Sequence, residues 1–595
     1  MLYKIKNYFI MLFFISIIIC ECDSYDYGDI NSDDNIDIID VMLCVDIVFD
    51  TNNFFPLADL NFDNINNIFD IIIMIERILI PFELDIEFLD INFNFSDLYI
   101  VWNKTNEYSF LQYNIYYANF LNNEEVLLYS TNDITDTSIV IENIILNEQN
   151  FFSIGLQDIT GCELTSNQYV YELPFKDYLI GDNGQIEYTE FNIDDFEPSS
   201  ECMSCHEDHY NEWFSSMHSY SMKSPLFFSY KNQANSNHPN VGEKFCMQCH
   251  NPVSYLTGEN TALYDNLNDF QNSDLDEVIK DGIGCDVCHT ITGLSQTVHT
   301  ENNLFANAEY KMYPLGNIKF GSIQQPEENN FHTSYYLPTY KSSQMCLPCH
   351  DLVIRDVEAE ITFTEWSRFT GGAMFGGVSC QDCHMPLKDN GYHSHKFIGV
   401  DIDLDIPLAQ NTMVSDVQEL LETSATISFG VSGEEMVDSI SSGDILNIPI
   451  TVESNTAHSL PSGTSFNRQV WLEVIILNDN DIIFESGKVN NNEQLDFSDS
   501  NLLLFATYLY DNQGNVTSNV TDTHSMNNNA LLAYGIRYAS YEKLVPDNID
   551  GTLDVSARLL FRPFDPDFII EHHPEFINNL PIYEISSITK NIIIQ

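Results

Sequence analysis

The sequence predicts a multidomain fold: a small α module built on paired acidic loops, a β-sandwich, a mainly α or irregular segment, and a second β-sandwich at the C-terminal end. Three observations predict it. The chain has 595 residues, more than one hydrophobic core accommodates. An acidic twelve-residue pattern occurs twice near the start, and an apolar stretch of helical length follows each copy. A Cys-x-x-Cys-His pentapeptide occurs five times between Cys202 and His384, with strand-like alternation of apolar and polar residues on either side. The expected divisions are 1–22, 24–80, 83–174, 175–400 and 401–595.

Residues 1–22 read as an export signal. Lys4 and Lys6 precede an apolar run from Tyr8 to Ile19, which is short for a membrane span. Cys20 would suit lipidation only if a small residue preceded it, and Ile19 stands there. No later segment is apolar for long enough to span a bilayer, so the mature chain is expected to have no transmembrane span and to reside in the periplasm or at the cell surface. Net charge is −66, from 89 acidic and 23 basic residues, which argues against nucleic acid and anionic membrane as partners.

Residues 24–80 carry the repeat. Asp29, Asn31, Asp33, Asn35, Asp37 and Asp40 are matched by Asp59, Asn61, Asp63, Ile65, Asn67 and Asp70. Oxygen-bearing side chains stand at loop positions 1, 3, 5, 9 and 12 in both copies, with the backbone carbonyl of Asn35 or Ile65 available at position 7. That is the spacing of a calcium shell, so two Ca2+ ions are expected. Asp34 and Asn64 occupy position 6, where glycine is usual. The pair resembles a dockerin, which implies one helix per loop and a cohesin-like receptor as partner. Residues 83–174 alternate in short runs, as in Leu98–Trp102, Tyr113 to Tyr117 and Phe152 to Leu156. An early Trp, a Tyr-rich middle strand and a late strand ending at Gly161 resemble a fibronectin type III sandwich, a spacer module. Cys162, left over from the motifs, is expected as a free or buried thiol.

The five pentapeptides are Cys202–Cys205–His206, Cys246–Cys249–His250, Cys285–Cys288–His289, Cys346–Cys349–His350 and Cys380–Cys383–His384. Two thiols at this spacing add to the two vinyl groups of one haem, and the adjoining histidine lies under its iron. Zinc ribbons also use paired Cys-x-x-Cys, but zinc gives no reason for a histidine after every pair. Five covalent c-type haems are therefore expected. So much macrocycle on so little chain implies that the haems themselves form the core of residues 175–400, wrapped by short helices and loops.

Each iron needs a sixth ligand or keeps an open site. Seven further histidines lie in this segment: His209, His218, His238, His299, His332, His393 and His395. The best candidates are His218, after a Trp-containing helical stretch, His332, before the fourth motif, and His395, after the fifth. His299 and His458, the latter in the turn Ala457–Gly463, follow, and Met217, Met222, Met374 and Met385 are minor alternatives. Mostly bis-His ligation would give low-potential iron suited to electron transfer. From 401 onward Leu446, Ile448, Ile450 and Val452 alternate, as do Val470, Leu472, Val474 and Ile476, which predicts the C-terminal β-sandwich.

These phrases resemble a family. Cys202–Pro225 with Glu212, Trp213 and His218, together with Gly282–His289, Glu365–Trp366 and Gly377–Pro386, is similar to the multihaem cytochrome c family related to the tetrahaem electron carrier of hydroxylamine oxidoreductase. Ala457–Gly463, Arg468–Val474 and Leu560–Phe564 look like the β-sandwich that often follows in such chains. The resemblance implies that His218 is an axial ligand. The expected function is an exported pentahaem electron-transfer protein with redox partner proteins, tethered by its calcium module. The alternative is a reductase or oxidase of small nitrogen or sulfur compounds with one open haem, in which Tyr310, Tyr313 or Arg368 would meet substrate. Against it, no Cys-x-x-Cys-Lys motif occurs.

Overall fold

The structure is a computed structural model. It describes residues 27–595 except 34, 50–53, 62, 80–83, 108, 120–124, 160, 182–185, 239–244, 260–263, 294–295, 298–307, 315–316, 371–376, 432, 434 and 491. The signal-like segment, with Cys20 and Cys22, and the candidates His299 and Met374 lie outside the described residues. The chain divides into two compact units, 1–173 and 174–595.

The first unit begins with two loop-helix copies. Helices α1 (Ile38–Phe49) and α2 (Ile68–Leu79) each carry the position-12 aspartate, Asp40 or Asp70, in their first turn. Asp40 and Asp70 are fully buried. Asp40 accepts the backbone N–H groups of Ile30, Asn31 and Asp37, and Asp70 those of Leu60, Asn61 and Asn67. A carboxylate there satisfies loop donors and sits well at a helix N-terminus. Asn64 takes the left-handed conformation, φ 64°, that a glycine would otherwise supply, and asparagine tolerates it. Val41, Cys44, Leu60 and Met74 pack between the helices.

Eight strands follow: β1 (Phe88–Phe93), β2 (Leu98–Trp102), β3 (Phe110–Asn119), β4 (Val126–Thr131), β5 (Ser138–Ile141), β6 (Gln149–Asp158), β7 (Glu163–Thr165) and β8 (Tyr169–Glu172). One sheet runs β1-β2-β5, the other β4-β3-β6-β7 with β8 also on β6. Trp102 from the first and Tyr113 from the second are buried edge to face, ring centres 5.7 Å apart. Cys162, just past β6, is disulfide-bonded and not a free thiol. A spacing pattern cannot reveal this, because the bond depends on a residue elsewhere in the fold.

In the second unit the thiol pairs sit on single helical turns, such as Cys285–His289 and Cys380–His384. One turn brings both sulfurs and the following imidazole to one side of the backbone. The helical stretch before His218 is broken at Ser216, so that Glu207–Phe214 and Met217–Tyr220 are separate helices. Phe191, Phe196, Phe227, Phe228, Phe270 and Tyr310 dominate the apolar packing between the motifs. Beyond the helix Met413–Ser424, strands Ala425–Phe429, Ile445–Ser454 and Ile536–Leu544 form one sheet. Tyr583–Ile594, Thr552–Arg562, Gln469–Asn478 and Asp481–Ser486 form the other. Gln469–Val474 is buried on both faces, where a half-buried strand was expected, because Trp471, Leu495 and Leu560 make a second small core behind it. Arg562 is fully buried there, donating to Gln469 Oε1 and Glu493 O and lying over the Trp471 ring. Burial pulls its guanidinium down to about 10. No helix among the described residues is long and apolar enough to cross a membrane.

Candidate functional site

The fold brings histidines together in pairs. His206 faces His332, with ring centres 6.3 Å apart, and His218 faces His350 at 6.3 Å. His289 faces His395 at 6.2 Å, and His384 faces His458 at 6.3 Å. Each pair joins the histidine of one motif to a histidine outside the motifs. A metal held between two imidazole nitrogens at about 2 Å each leaves ring centres roughly 6 Å apart, because each centre lies just behind its nitrogen. The gaps therefore fit an iron.

The outer nitrogens support the same use. His289 Nδ1 meets Phe320 O at 2.7 Å and His384 Nδ1 meets Ile398 O at 2.6 Å. His395 Nδ1 meets His393 O at 3.0 Å, and His458 Nδ1 meets Ser459 O at 2.9 Å. A carbonyl on Nδ1 fixes the proton there and leaves Nε2 free to bind metal. Burial also favours the neutral form of several of these rings. It pulls His218 and His395 down to about 3, and His350 to about 4, each reinforced by a neighbouring imidazole. Neutral imidazole is the ligating form.

His250, of the second motif, differs. No imidazole faces it among the described residues. Its Nδ1 is buried without a partner, and Phe227 stacks on its ring at 4.2 Å. Burial brings it down to about 4. Tyr310 is buried beside this motif, donating to Gln248 O and lying 3.3 Å from Cys349 Sγ of the fourth. The thiols also cluster between motifs. Cys202 has Cys285 as a neighbour, Cys249 has Cys349 and Cys346 has Cys380, and the neighbouring thiol together with burial holds the first of each pair above the ordinary thiol range.

The other candidates are placed elsewhere. His238 pairs with Asp522 at 2.8 Å, and His393 Nδ1 meets Met385 O at 2.6 Å. His209 lies edge-on to His395, 4.7 Å between ring centres. Arg368 pairs with Glu358 on the surface. In the first unit Asp29 Oδ1 accepts Asp33 N–H at 3.1 Å and Asp59 Oδ1 accepts Asp63 N–H at 3.2 Å, matched geometry in the two loops. Among the described residues no group of three or more His, Cys, Asp or Glu side chains is gathered closely enough to hold a metal ion.

Sequence reasoning noted Glu212, Trp213, Glu365 and Trp366 as family phrases and missed the contacts by which they set the second histidines in place. The turn bearing His458 is bolted to the helix Thr362–Thr370: Glu365 Oε2 accepts Ser459 N–H at 3.1 Å and Ser462 Oγ at 2.7 Å, and Gly463 N–H reaches Thr362 Oγ1 at 3.0 Å. The repeated Glu-Trp dipeptide was the available signal.

Residues 201–290 match the family model described as cytochrome c554 and c-prime, a stretch that holds the first three motifs. The match supports a multihaem c-type cytochrome over that segment. No curated protein matches the chain. Among solved structures, the chain is similar to a penta-heme cytochrome c552 from Thermochromatium tepidum, at 19% identity over 67% of this chain and 99% of that one, TM-score 0.48. It is also similar to the fn3 domain of human contactin 1, at 17% identity over 16% of this chain and 83% of that one, TM-score 0.12.

Proposed function

We propose that this chain is an exported pentahaem c-type cytochrome that passes electrons between redox partners. The observation that carries the reading is the set of four imidazole pairs spaced 6.2–6.3 Å apart, each with a motif histidine on one side. Cys202 and Cys205, Cys246 and Cys249, Cys285 and Cys288, Cys346 and Cys349, and Cys380 and Cys383 would anchor the five groups through thioether bonds. His206, His250, His289, His350 and His384 would ligate from one face. His332, His395, His218 and His458 would ligate the first, third, fourth and fifth from the other. A haem ligated on both faces exchanges one electron and leaves no position for substrate. The chain's part is to hold the two imidazoles of each pair at this spacing and, through the backbone carbonyls on the Nδ1 atoms of His289, His384, His395 and His458, to leave their Nε2 atoms free. Mass spectrometry of the exported protein tests this: five added haem masses are expected, and an unmodified chain mass would overturn the reading.

His250 favours a second reading for one haem. With no second imidazole beside it among the described residues, the second motif would hold an open iron, and a reductase or oxidase of a small nitrogen or sulfur compound would act there. Electron paramagnetic resonance of the oxidised protein distinguishes the two. A high-spin signal altered by nitrite or hydroxylamine supports the open site, and five low-spin signals support a pure conduit.

In the N-terminal unit we propose a dockerin-like calcium module, 24–80, and a fibronectin III-like spacer, 83–174, that tether the cytochrome to a cohesin-like receptor. The proposed Ca2+ ligands are Asp29, Asn31, Asp33, Asn35, Asp37 and Asp40, and Asp59, Asn61, Asp63, Ile65, Asn67 and Asp70. The support is the matched spacing of the two loops and an exposed apolar pair at the start of each helix, Ile38 with Ile39 and Ile68 with Phe69. Calorimetric titration with Ca2+ should show two binding events per chain. No heat at millimolar Ca2+ would remove the module's role.

A further inference from the structure

Two stretches of the haem segment repeat one set of hydrogen bonds. In the first, Ser199 stands three residues before Cys202, and its Oγ accepts the N–H of Cys285 at 3.1 Å. Trp213 donates its indole N–H to Ile283 O, two residues before Cys285, at 2.8 Å. Its neighbour Glu212 accepts His395 N–H at 2.9 Å on one oxygen and Lys388 Nζ at 3.0 Å on the other. His395 is the imidazole facing His289, which closes the motif begun by Cys285.

In the second, Ser343 stands three residues before Cys346, and its Oγ accepts Cys380 N–H at 3.0 Å. Trp366 donates to Val378 O, again two residues before the cysteine, at 2.8 Å. Glu365 accepts Ser459 N–H, and Ser459 adjoins His458, the imidazole facing His384. The serine and the tryptophan hold the same two points at the same offsets, and each glutamate accepts a backbone N–H of the loop that carries the second histidine, from His395 itself in the first stretch and from the residue after His458 in the second. The ring planes agree as well: these two pairs are inclined by 15° and 20°, the other two by 30° and 58°.

We propose that the first and third motifs, and the fourth and fifth, are two copies of one two-motif unit, and that Glu212 and Glu365 are its positioning residues. Each tryptophan fixes the approach to a thiol pair. Each glutamate fixes the loop that brings the second histidine to the same haem. A loop free to move would offer its imidazole at an entropic cost, and a carboxylate accepting the loop's N–H removes that freedom before ligation. The inference rests on the haem reading above, and it adds what sets the sixth ligand.

The test uses the exported holoprotein. In Glu365→Ala, one low-spin haem becomes partly high-spin, with the spectrum that His458→Ala gives in full. The reduced variant then takes up about one more carbon monoxide per chain than the wild type, since an iron without its second imidazole is open. Glu212→Ala does the same with the spectrum of His395→Ala, and the two effects add. Glu365→Gln, whose one amide oxygen still accepts both Ser459 N–H and Ser462 Oγ, behaves as wild type, and Glu212→Gln, which keeps His395 N–H on its oxygen and loses only the Lys388 ion pair, retains the wild-type spectrum. Alanine variants with full haem content and wild-type carbon monoxide uptake would overturn the proposal, as would glutamine variants as damaged as the alanine ones. If an alanine variant does not accumulate, Glu365→Asp, one methylene short, should show partial uptake, and wild-type uptake by it would equally overturn the proposal. A wild-type chain without haem mass would defeat the haem reading itself, whereas full haem content with unchanged uptake defeats only the clamp.

Discussion

The haem segment and the C-terminal sandwich share one compact unit but hold their shape by different means. In the sandwich, Ile448, Ile450, Val452, Val470, Leu472, Val474, Leu559 and Phe561 are all buried in one continuous core, and neighbouring strands satisfy the backbone. In the haem segment elements are short, and the ties are single side chains reaching distant backbone: Trp213 to Ile283, Ser199 to Cys285, Asn251 to Ile279, Arg355 to Thr521 and Thr523. The sandwich needs only its own alternation. The haem segment needs partners from far along the chain and, in the proposed reading, a group from outside it.

The largest expected effect tests that contrast directly. Full-length chain made without haem attachment should be cut by protease within 175–400 first, while strands from 445 to 594 stay protected. Indiscriminate cutting would show that the two regions depend equally on haem. Next, Phe561→Ala should cost about 3–5 kcal/mol by urea unfolding of the holoprotein, as a fully buried aromatic replaced by a cavity. A cost under 1 kcal/mol would mean that this core is not what holds the sandwich. The N-terminal unit extends the comparison to a region held by buried carboxylates. Asp70→Ala leaves the N–H groups of Leu60, Asn61 and Asn67 unpaired and should cost about 1–3 kcal/mol in calcium-free buffer, read by thermal unfolding of the first transition. The smallest effect concerns Cys44. Burial, with Asp70 adding to it, raises this thiol to about 11, so at neutral pH it is protonated and enclosed. Iodoacetamide should leave it unlabelled until the unit unfolds, and rapid labelling of the native protein would contradict its burial.

How much could be read in advance follows the same division. The strands from 445 to 476 and the repeat of the loops at Asp29 and Asp59 were legible because their signals are local: alternation in one case, a recurring acidic spacing in the other. The five thiol pairs were legible because one turn of chain carries all their chemistry. The pairing of His206 with His332, or of His218 with His350, was not, since each joins points separated by several other elements and only packing decides between seven spare histidines. Gln469, Trp471 and Arg562 looked like scattered family phrases and meet in one buried contact. The disulfide at Cys162 escaped for a related reason, because thiol bonding is a property of the fold and leaves no mark on one cysteine's neighbours.

His458 reaches the fifth motif from a turn of the C-terminal sheet region. In the proposed reading this imposes an order on biogenesis. The Cys380 and Cys383 thiols precede His458 in the chain, so a channel that delivers the N-terminal end first would present them for attachment before the second face of this haem could be closed. It reaches its final spin state only when later strands have been delivered and the Ala457–Gly463 turn has settled on Glu365. A shift from high-spin to low-spin iron at this one centre would thus report, in a living cell, that the last portion of the protein has arrived.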